Sequence, residues 1–148
     1  MTASIVRFTR AVALLLAAGA LFVSACGGSS NSPTSPSSST PTTTLSATFS
    51  SIQSLIFEPQ CVRCHGTVLN AGLDLRAATG SANLVNTTST QVALLRVAPG
   101  DPEASYLIHK IDGRTGIVGS RMPQVPPFLS ADEIDVIRTW IANGAANN

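Results

Sequence analysis

Apolar residues recur at helical spacing in three stretches of the chain, and no stretch shows the sustained alternation that is typical of a strand. The first stretch places Phe49, Ile52, Leu55 and Ile56 on one face of a helix. Pro59 follows, and because a proline disfavours helical backbone in the residue before it, we expect it to end this helix just before Cys61. The pattern predicts an all-α domain without internal repeats.

The clearest helix lies near the end of the chain, in LSADEIDVIRTWIANGA. Ser130 and Glu133 match a capping box, and Leu129 is placed to pack on Ile134 as a hydrophobic staple. Gly144 is placed to end the helix. The predicted apolar stripe consists of Ile134, Ile137, Trp140 and Ile141.

A third helix is predicted after the turn APGDP, with Asp101 as its N-cap and Pro102 in its first position. Between the first and third helices the pattern is weaker. We expect an extended piece at residues 73–75 and a short helical turn before Leu84. The stripe of the third helix consists of Ala104, Leu107, Ile108 and Ile111.

The start of the chain has a different pattern. Arg7 and Arg10 precede an apolar run at residues 11–23, which is shorter than the roughly 20 residues that a spanning helix needs. Small residues then lead to Cys26, as in a bacterial lipoprotein signal, so residues 1–25 are predicted to be removed and Cys26 to carry lipid. Ordinary cleavage nearby would instead leave a free thiol, a liability in an exported protein.

A polar segment, residues 27–44, follows Cys26 and is rich in Ser, Thr and Pro. It holds too few apolar side chains to offset the entropy of ordering, so we predict a disordered tether. The folded domain is then residues 45–148, exported and facing the periplasm or the cell exterior. The residue after Cys26 is Gly27 and not Asp, and in this the chain resembles lipoproteins that are sent to an outer membrane.

The overall charge is small, with nine Lys/Arg against eight Asp/Glu. Such a balance argues against nucleic acid as a partner. Aromatic residues make up only 5% of the chain, so a bulky apolar prosthetic group would help to fill the core.

The motif CVRCH contains Cys61, Cys64 and His65, the attachment pattern of c-type haem. Two thiols three residues apart on one helical turn can each bond a vinyl group of the same porphyrin. The adjacent histidine can then serve as the proximal ligand of the iron. Covalent attachment would prevent loss of the cofactor from a small core.

Other uses of this motif require residues or settings that the sequence lacks. A structural zinc site needs four protein ligands, but once Cys26 is lipidated the remaining candidate is His109. A thioredoxin-like redox pair needs a βαβ setting. A disulfide between Cys61 and Cys64 would leave His65 unexplained.

The sixth iron ligand has two candidates, Met122 and His109, or it is absent. His109 lies on the outer face of the third helix with Glu103 and Lys110, so we expect it to face water. Met122 lies in a proline-rich loop that can hold its sulfur at a fixed depth. It is the only methionine after the leader, and we interpret it as the ligand.

From position 49 to position 145 the chain resembles a bacterial class I-type monohaem cytochrome c domain. The resemblance implies thioethers at Cys61 and Cys64, a proximal His65 and a distal Met122. It also implies that the first and last helices cross at the haem edge, with Trp140 near the contact. The matching pieces are CVRCHG, GLDLRAATGSANLVN, APGDPEASYLIHKI, RMPQ and LSADEIDVIRTWIANGA.

The predicted function is that of a lipid-anchored one-electron carrier with a single covalent haem c. It would meet redox partner proteins through a small apolar rim and would need no small-molecule substrate, so we do not expect an enzyme. The loop after Met122 departs from the family, which usually has a second proline where Gln124 stands. Two alternatives stay open: a haem sensor or small catalyst with an open iron, and a non-haem lipoprotein.

Overall fold

A computed structural model describes residues 44–148. The predicted signal peptide, the lipidation site at Cys26 and the tether up to residue 43 lie outside the described residues. Within residues 44–148 only isolated β-bridges occur and no strand forms, so this part of the chain is all-α, as predicted. The helical elements are α1 (Phe49–Ile52), a π-helical turn (Gln53–Phe57), α2 (Glu58–Gln60), a 3-10 turn (Asn70–Gly72), α3 (Gly80–Leu84), α4 (Tyr106–Asp112) and α5 (Ala131–Ala142).

The first helix runs through Pro59 to Gln60 and ends just before the cysteine motif, where the sequence predicted its end. A π-helical turn just upstream accommodates the proline, and in this turn the N–H of Glu58 bonds to the carbonyl of Gln53. In a regular α-helix the proline ring clashes with the carbonyl four residues earlier, and the wider π turn relieves that crowding. The cysteine motif therefore follows directly after the end of the helix.

Helix α5 begins as predicted. Ser130 donates its N–H to the Glu133 carboxylate at 2.8 Å, and its Oγ accepts the N–H of Glu133 at 3.3 Å, which completes the capping box. Leu129 and Ile134 are both buried. After the helix ends, Gly144 takes a φ of +97°, a conformation that glycine adopts easily.

Helix α4 begins later than predicted, at Tyr106 with Ser105 as its N-cap. Asp101 instead accepts the N–H of Ala104 at 3.0 Å in a separate turn. The N–H groups of Tyr106 and Leu107 donate to the carbonyls of Leu95 and Arg96, at 2.9 Å each. The preceding segment thus satisfies the donors that a side-chain cap would otherwise serve.

The remaining predicted elements are short. Leu73 has extended dihedral angles, at φ −101° and ψ 126°, and the N–H of Leu75 donates to the carbonyl of His65 at 2.6 Å. The helical turn predicted before Leu84 is α3. Residues 73–75 therefore lie beside the cysteine motif instead of pairing in a sheet.

The core lies where α1 meets α5. The rings of Phe49 and Trp140 are 5.6 Å apart between centroids, and Trp140 donates its indole N–H to the carbonyl of Ala146 at 2.9 Å. Burial of such large rings is the main source of stability in a small domain. The largest fully buried hydrophobic side chains are Trp140, Phe57, Ile52, Ile56, Leu84, Ile108, Ile137, Ile141 and Val97.

Charged side chains add a second link between α4 and α5. Arg138 on α5 pairs with Asp112 at the end of α4 and with Glu103 at 2.5 Å. Arg114 pairs with the same two carboxylates, at 2.7 Å to Glu103 and 3.2 Å to Asp112. Hydrogen bonds from Arg114 and Arg138 lower the pKa of Glu103 to about 2.

Candidate functional site

A cavity of about 340 Å³ brings together four side chains that the sequence predicted to act together. Cys61, Cys64 and His65 line it from the end of the first helix, and Met122 lines it from the loop between α4 and α5. Its volume lies within the range of pockets that bind small molecules and cofactors. The cavity is the candidate functional site of the described domain.

The cysteine motif forms a helical turn that continues the first helix. The N–H of Cys61 donates to the carbonyl of Phe57 at 2.9 Å. The N–H groups of Cys64 and His65 both donate to the carbonyl of Cys61, at 3.0 and 2.9 Å. Both thiols and the imidazole therefore come from one turn of backbone.

The two thiols differ in their surroundings. Cys61 is half-buried and packs against the core, whereas Cys64 is exposed, and both are free. Burial, together with the nearby Cys64, raises the pKa of Cys61 to about 12. Cys61 is therefore a thiol at neutral pH, and it lacks the low pKa of a redox-catalytic cysteine.

The backbone fixes which nitrogen of His65 is free to bind. Its Nδ1 lies 3.0 Å from the carbonyl oxygen of Asn70, and because a carbonyl only accepts, Nδ1 carries the proton. This leaves the lone pair of Nε2 available as a ligand, the arrangement that metal-bound histidines usually have. Burial lowers the pKa of His65, and the charges of Lys110 and Arg96 lower it further, against the opposing effect of the Asn70 hydrogen bond.

Asn70 supports the site in a way that the sequence did not reveal. Its carbonyl accepts from His65, and its side-chain amide donates to the carbonyl of Cys64 at 2.7 Å. One residue, at the start of the 3-10 turn, thus holds both the ring and the backbone of the motif. An asparagine in so short a turn has no periodic pattern by which this role could be predicted.

Gly66 lies directly after the motif, at a position where the backbone leaves no room for a side chain. A Cβ placed on it would lie 2.6 Å from the carbonyl oxygen of Val62 and 3.2 Å from Val62 Cγ1. Real Cβ atoms do not approach backbone oxygen this closely, so any other residue would open the turn. The glycine therefore lets the motif fold back tightly after His65.

We expect Gly66→Ala to lower the free energy of unfolding by about 1–3 kcal/mol, because the added methyl overpacks the turn. Urea denaturation followed by circular dichroism measures this change. Thr67→Ala is the matched control, since Thr67 is exposed and its loss should stay within about 0.5 kcal/mol. Equal stabilities of the two variants would contradict the steric argument.

Met122 and His109, the two candidates for the distal ligand, occupy different places. Met122 is half-buried, lines the cavity and packs against the core. His109 does not line the cavity, and its Nε2 lies 2.7 Å from the carbonyl oxygen of Glu103. His109 therefore lies outside the cavity, although it is half-buried and not fully exposed to water as predicted. Lys110, which the helical pattern placed on the same outer face, lines the cavity instead.

Arg96 is a further polar residue of the cavity, one that sequence reasoning missed. It is only 8% exposed, and its guanidinium donates to the carbonyls of Asn83 at 2.9 Å, Gly72 at 3.0 Å and Ala71 at 3.2 Å. Within residues 44–148 no carboxylate pairs with it. A buried positive charge on the wall of a cavity favours a ligand that carries negative charge.

Comparison with known proteins adds no relative. No family model, no curated protein and no solved structure matches this chain. In residues 44–148, no group of three or more His, Cys, Asp and Glu side chains could hold a metal ion, and no helix is long and apolar enough to cross a membrane.

Proposed function

We propose that this protein is a c-type cytochrome that carries single electrons between redox partner proteins outside the cytoplasm. Domain 45–148 would have a cytochrome c fold and hold one haem c through Cys61 and Cys64, with His65 and Met122 as iron ligands. The chain would be exported and anchored to a membrane by lipid on Cys26. The observation that carries the proposal is that these four haem-binding candidates, from two distant parts of the chain, line one cavity.

The donor set of the cavity fits haem better than a bare metal ion. Cys61 and Cys64, two thiols on one turn, would form the thioether bonds. The free Nε2 of His65 and the thioether sulfur of Met122 would serve as the protein ligands of the iron. The buried charge of Arg96 complements the carboxylates that haem carries. Apolar side chains that suit a porphyrin face complete the walls, among them Phe57, Leu75, Leu84, Ile111 and Leu129.

The chain's own residues would each perform a separate task. Cys61 and Cys64 retain the cofactor, and Asn70 keeps His65 in the tautomer that ligates. Met122 would serve as the second protein ligand of the iron, which would leave no open position for a substrate. Bound haem would supply an iron that gains and loses one electron, and histidine–methionine ligation raises its reduction potential relative to two histidines.

The open-iron alternative, a haem sensor or small catalyst, differs from the carrier only in whether Met122 is bound. One observation favours this alternative. Met122 lies in a loop in which the side chains of Val125 and Phe128 are 62% and 44% exposed. The part of the loop that carries these exposed side chains can leave the surface at low cost. The experiment must therefore report on the sixth ligand as well as on attachment.

The test is to produce the full chain in a bacterial host that matures c-type cytochromes, and to measure its mass and spectrum. We expect a mass that includes one tetrapyrrole, a ferric methionine–iron charge-transfer band, and a ferrous form that excludes carbon monoxide. Attached haem with ready carbon monoxide binding would overturn the carrier in favour of the sensor. A polypeptide without tetrapyrrole would overturn the proposal as a whole and favour the non-haem lipoprotein.

A further inference from the structure

The loop that carries Met122, residues 117–129, is fastened to α4 mainly through one residue. Lys110 donates from Nζ to the carbonyl of Val118 at 2.8 Å and to that of Ser120 at 2.7 Å. The carbonyl of Lys110 accepts the N–H of Met122 itself at 2.8 Å. Lys110 therefore contacts this loop, which we call the Met122 loop, both through its side chain and through its backbone.

Other contacts between α4 and the Met122 loop involve one hydrogen bond each. Val118 donates its N–H to the hydroxyl of Tyr106 at 3.0 Å, and Arg121 donates from Nε to the carbonyl of Ile111 at 2.7 Å. Neither the side chain of Tyr106 nor that of Arg121 forms a hydrogen bond with the backbone of Met122. Lys110 thus has the most direct connection to the candidate ligand.

In the described part of the chain, the ammonium of Lys110 bonds to the Met122 loop and to no carboxylate. Within residues 44–148 it forms no ion pair, so both of its hydrogen bonds go to loop carbonyls. Hydrogen bonds from a charged donor are about twice as strong as neutral ones. Lys110 is also the only lysine in the chain, and it lines the same cavity as Met122.

Loss of this ammonium would release the loop without exposing the core. Val118 is 46% exposed and Ser120 is exposed, so water can replace the ammonium at their carbonyls. The buried side chains Ile108 and Ile111, which attach α4 to the core, do not depend on the Lys110 side chain. The effect of removing it should therefore appear at Met122 and not in the stability of the domain.

We infer that Lys110 is the positioning residue that keeps the sulfur of Met122 bound at the distal position, through its hydrogen bonds to Val118 and Ser120. This inference rests on the proposed function, since it assigns a role relative to bound haem. It concerns a specific contact of this chain, and can fail while haem attachment and methionine ligation both hold.

The experiment compares Lys110→Ala and Lys110→Arg with the unaltered haem-loaded protein. Lys110→Ala removes the donors but keeps the backbone carbonyl, so the population with a detached loop should rise about tenfold or more. We expect a weaker charge-transfer band, and about tenfold faster carbon monoxide binding by the ferrous form. Lys110→Arg retains charged donors and should restore a substantial part of both signals.

Arg114→Ala is the matched control, because it removes a cation near the end of α4 that pairs with Glu103 and Asp112 and not with the Met122 loop. Its band and carbon monoxide kinetics should equal those of the unaltered protein. Thermal unfolding of each variant separates loop release from a loss of folding.

The outcomes distinguish the inference from the function on which it rests. If the unaltered protein shows the methionine band and Lys110→Ala keeps it, with carbon monoxide still excluded, the role of Lys110 is wrong and the carrier stands. The role of Lys110 is equally wrong if Lys110→Arg behaves like Lys110→Ala, or if Lys110→Ala loses the band only as the whole domain unfolds. If the unaltered protein carries haem but lacks the band, methionine ligation itself fails.

Discussion

Replacing Cys61 and Cys64 together by alanine is expected to abolish covalent haem attachment completely. Both thiols come from a single turn at the wall of the cavity, and no other cysteine lies in the described residues. His65 and Met122 would still be present, but two axial ligands alone do not hold haem through denaturation. Mass spectrometry of the denatured protein should show the polypeptide without the tetrapyrrole.

The third cysteine provides a matched control. Cys26→Ser removes the predicted lipid site and should leave the mass of one tetrapyrrole on the domain. Each single variant, Cys61→Ala or Cys64→Ala, should retain at most one thioether and so a weaker attachment. Tetrapyrrole that stays bound to the denatured double variant would contradict the assignment of these thiols.

Met122→Ala is expected to convert a closed iron into an open one. The variant removes the only sulfur ligand that the Met122 loop brings to the cavity, and His109 cannot replace it, because its Nε2 lies against the carbonyl of Glu103. The charge-transfer band should fall to background, and the ferrous form should bind carbon monoxide fully. Optical spectra of the ferric and ferrous forms measure both changes.

His109→Ala is the control for this experiment and should leave both signals unchanged. It removes the rival ligand without touching a wall of the cavity. If His109→Ala opens the iron and Met122→Ala does not, the two assignments must be exchanged. If both variants keep a closed iron, a ligand outside this pair is bound.

The elements that the sequence predicted well are those defined by local interactions. Helix α5 has its whole start encoded within four residues, from Ser130 to Glu133, and its stripe is uninterrupted. The cysteine motif is equally local, since the spacing of its residues fits one helical turn regardless of the structure that follows it. The all-α class followed from helical spacing alone.

The predictions that failed depend on contacts between distant segments. Asp101 looks like the N-cap of α4, but the carbonyls of Leu95 and Arg96 take the first N–H groups and start the helix at Tyr106. Lys110 is predicted on the outer face of the same helix, but its hydrogen bonds to Val118 and Ser120 place it at the wall of the cavity. Both outcomes are decided by tertiary packing, which overrides local preference.

The candidate site follows the same division. The four haem-binding candidates that line it are residue types with recognisable chemistry, and so could be named from the sequence: Cys61, Cys64, His65 and Met122. The residues that support them donate hydrogen bonds from their side chains to backbone carbonyls, which are present at every position of any sequence. No pattern therefore indicates that Asn70, Arg96 and Lys110 belong to the site.

The ion pairs between α4 and α5 have a consequence for the behaviour of the domain at acidic pH. Because Arg114 and Arg138 hold the pKa of Glu103 near 2, below its ordinary value of 4.5, its carboxylate stays charged in moderately acidic surroundings. A depressed carboxyl pKa contributes stability that is present above the ordinary value and is lost only as pH falls through the lowered one. The ion pair between Arg138 and Glu103 therefore persists at acidic pH and is lost only near the lowered pKa of Glu103.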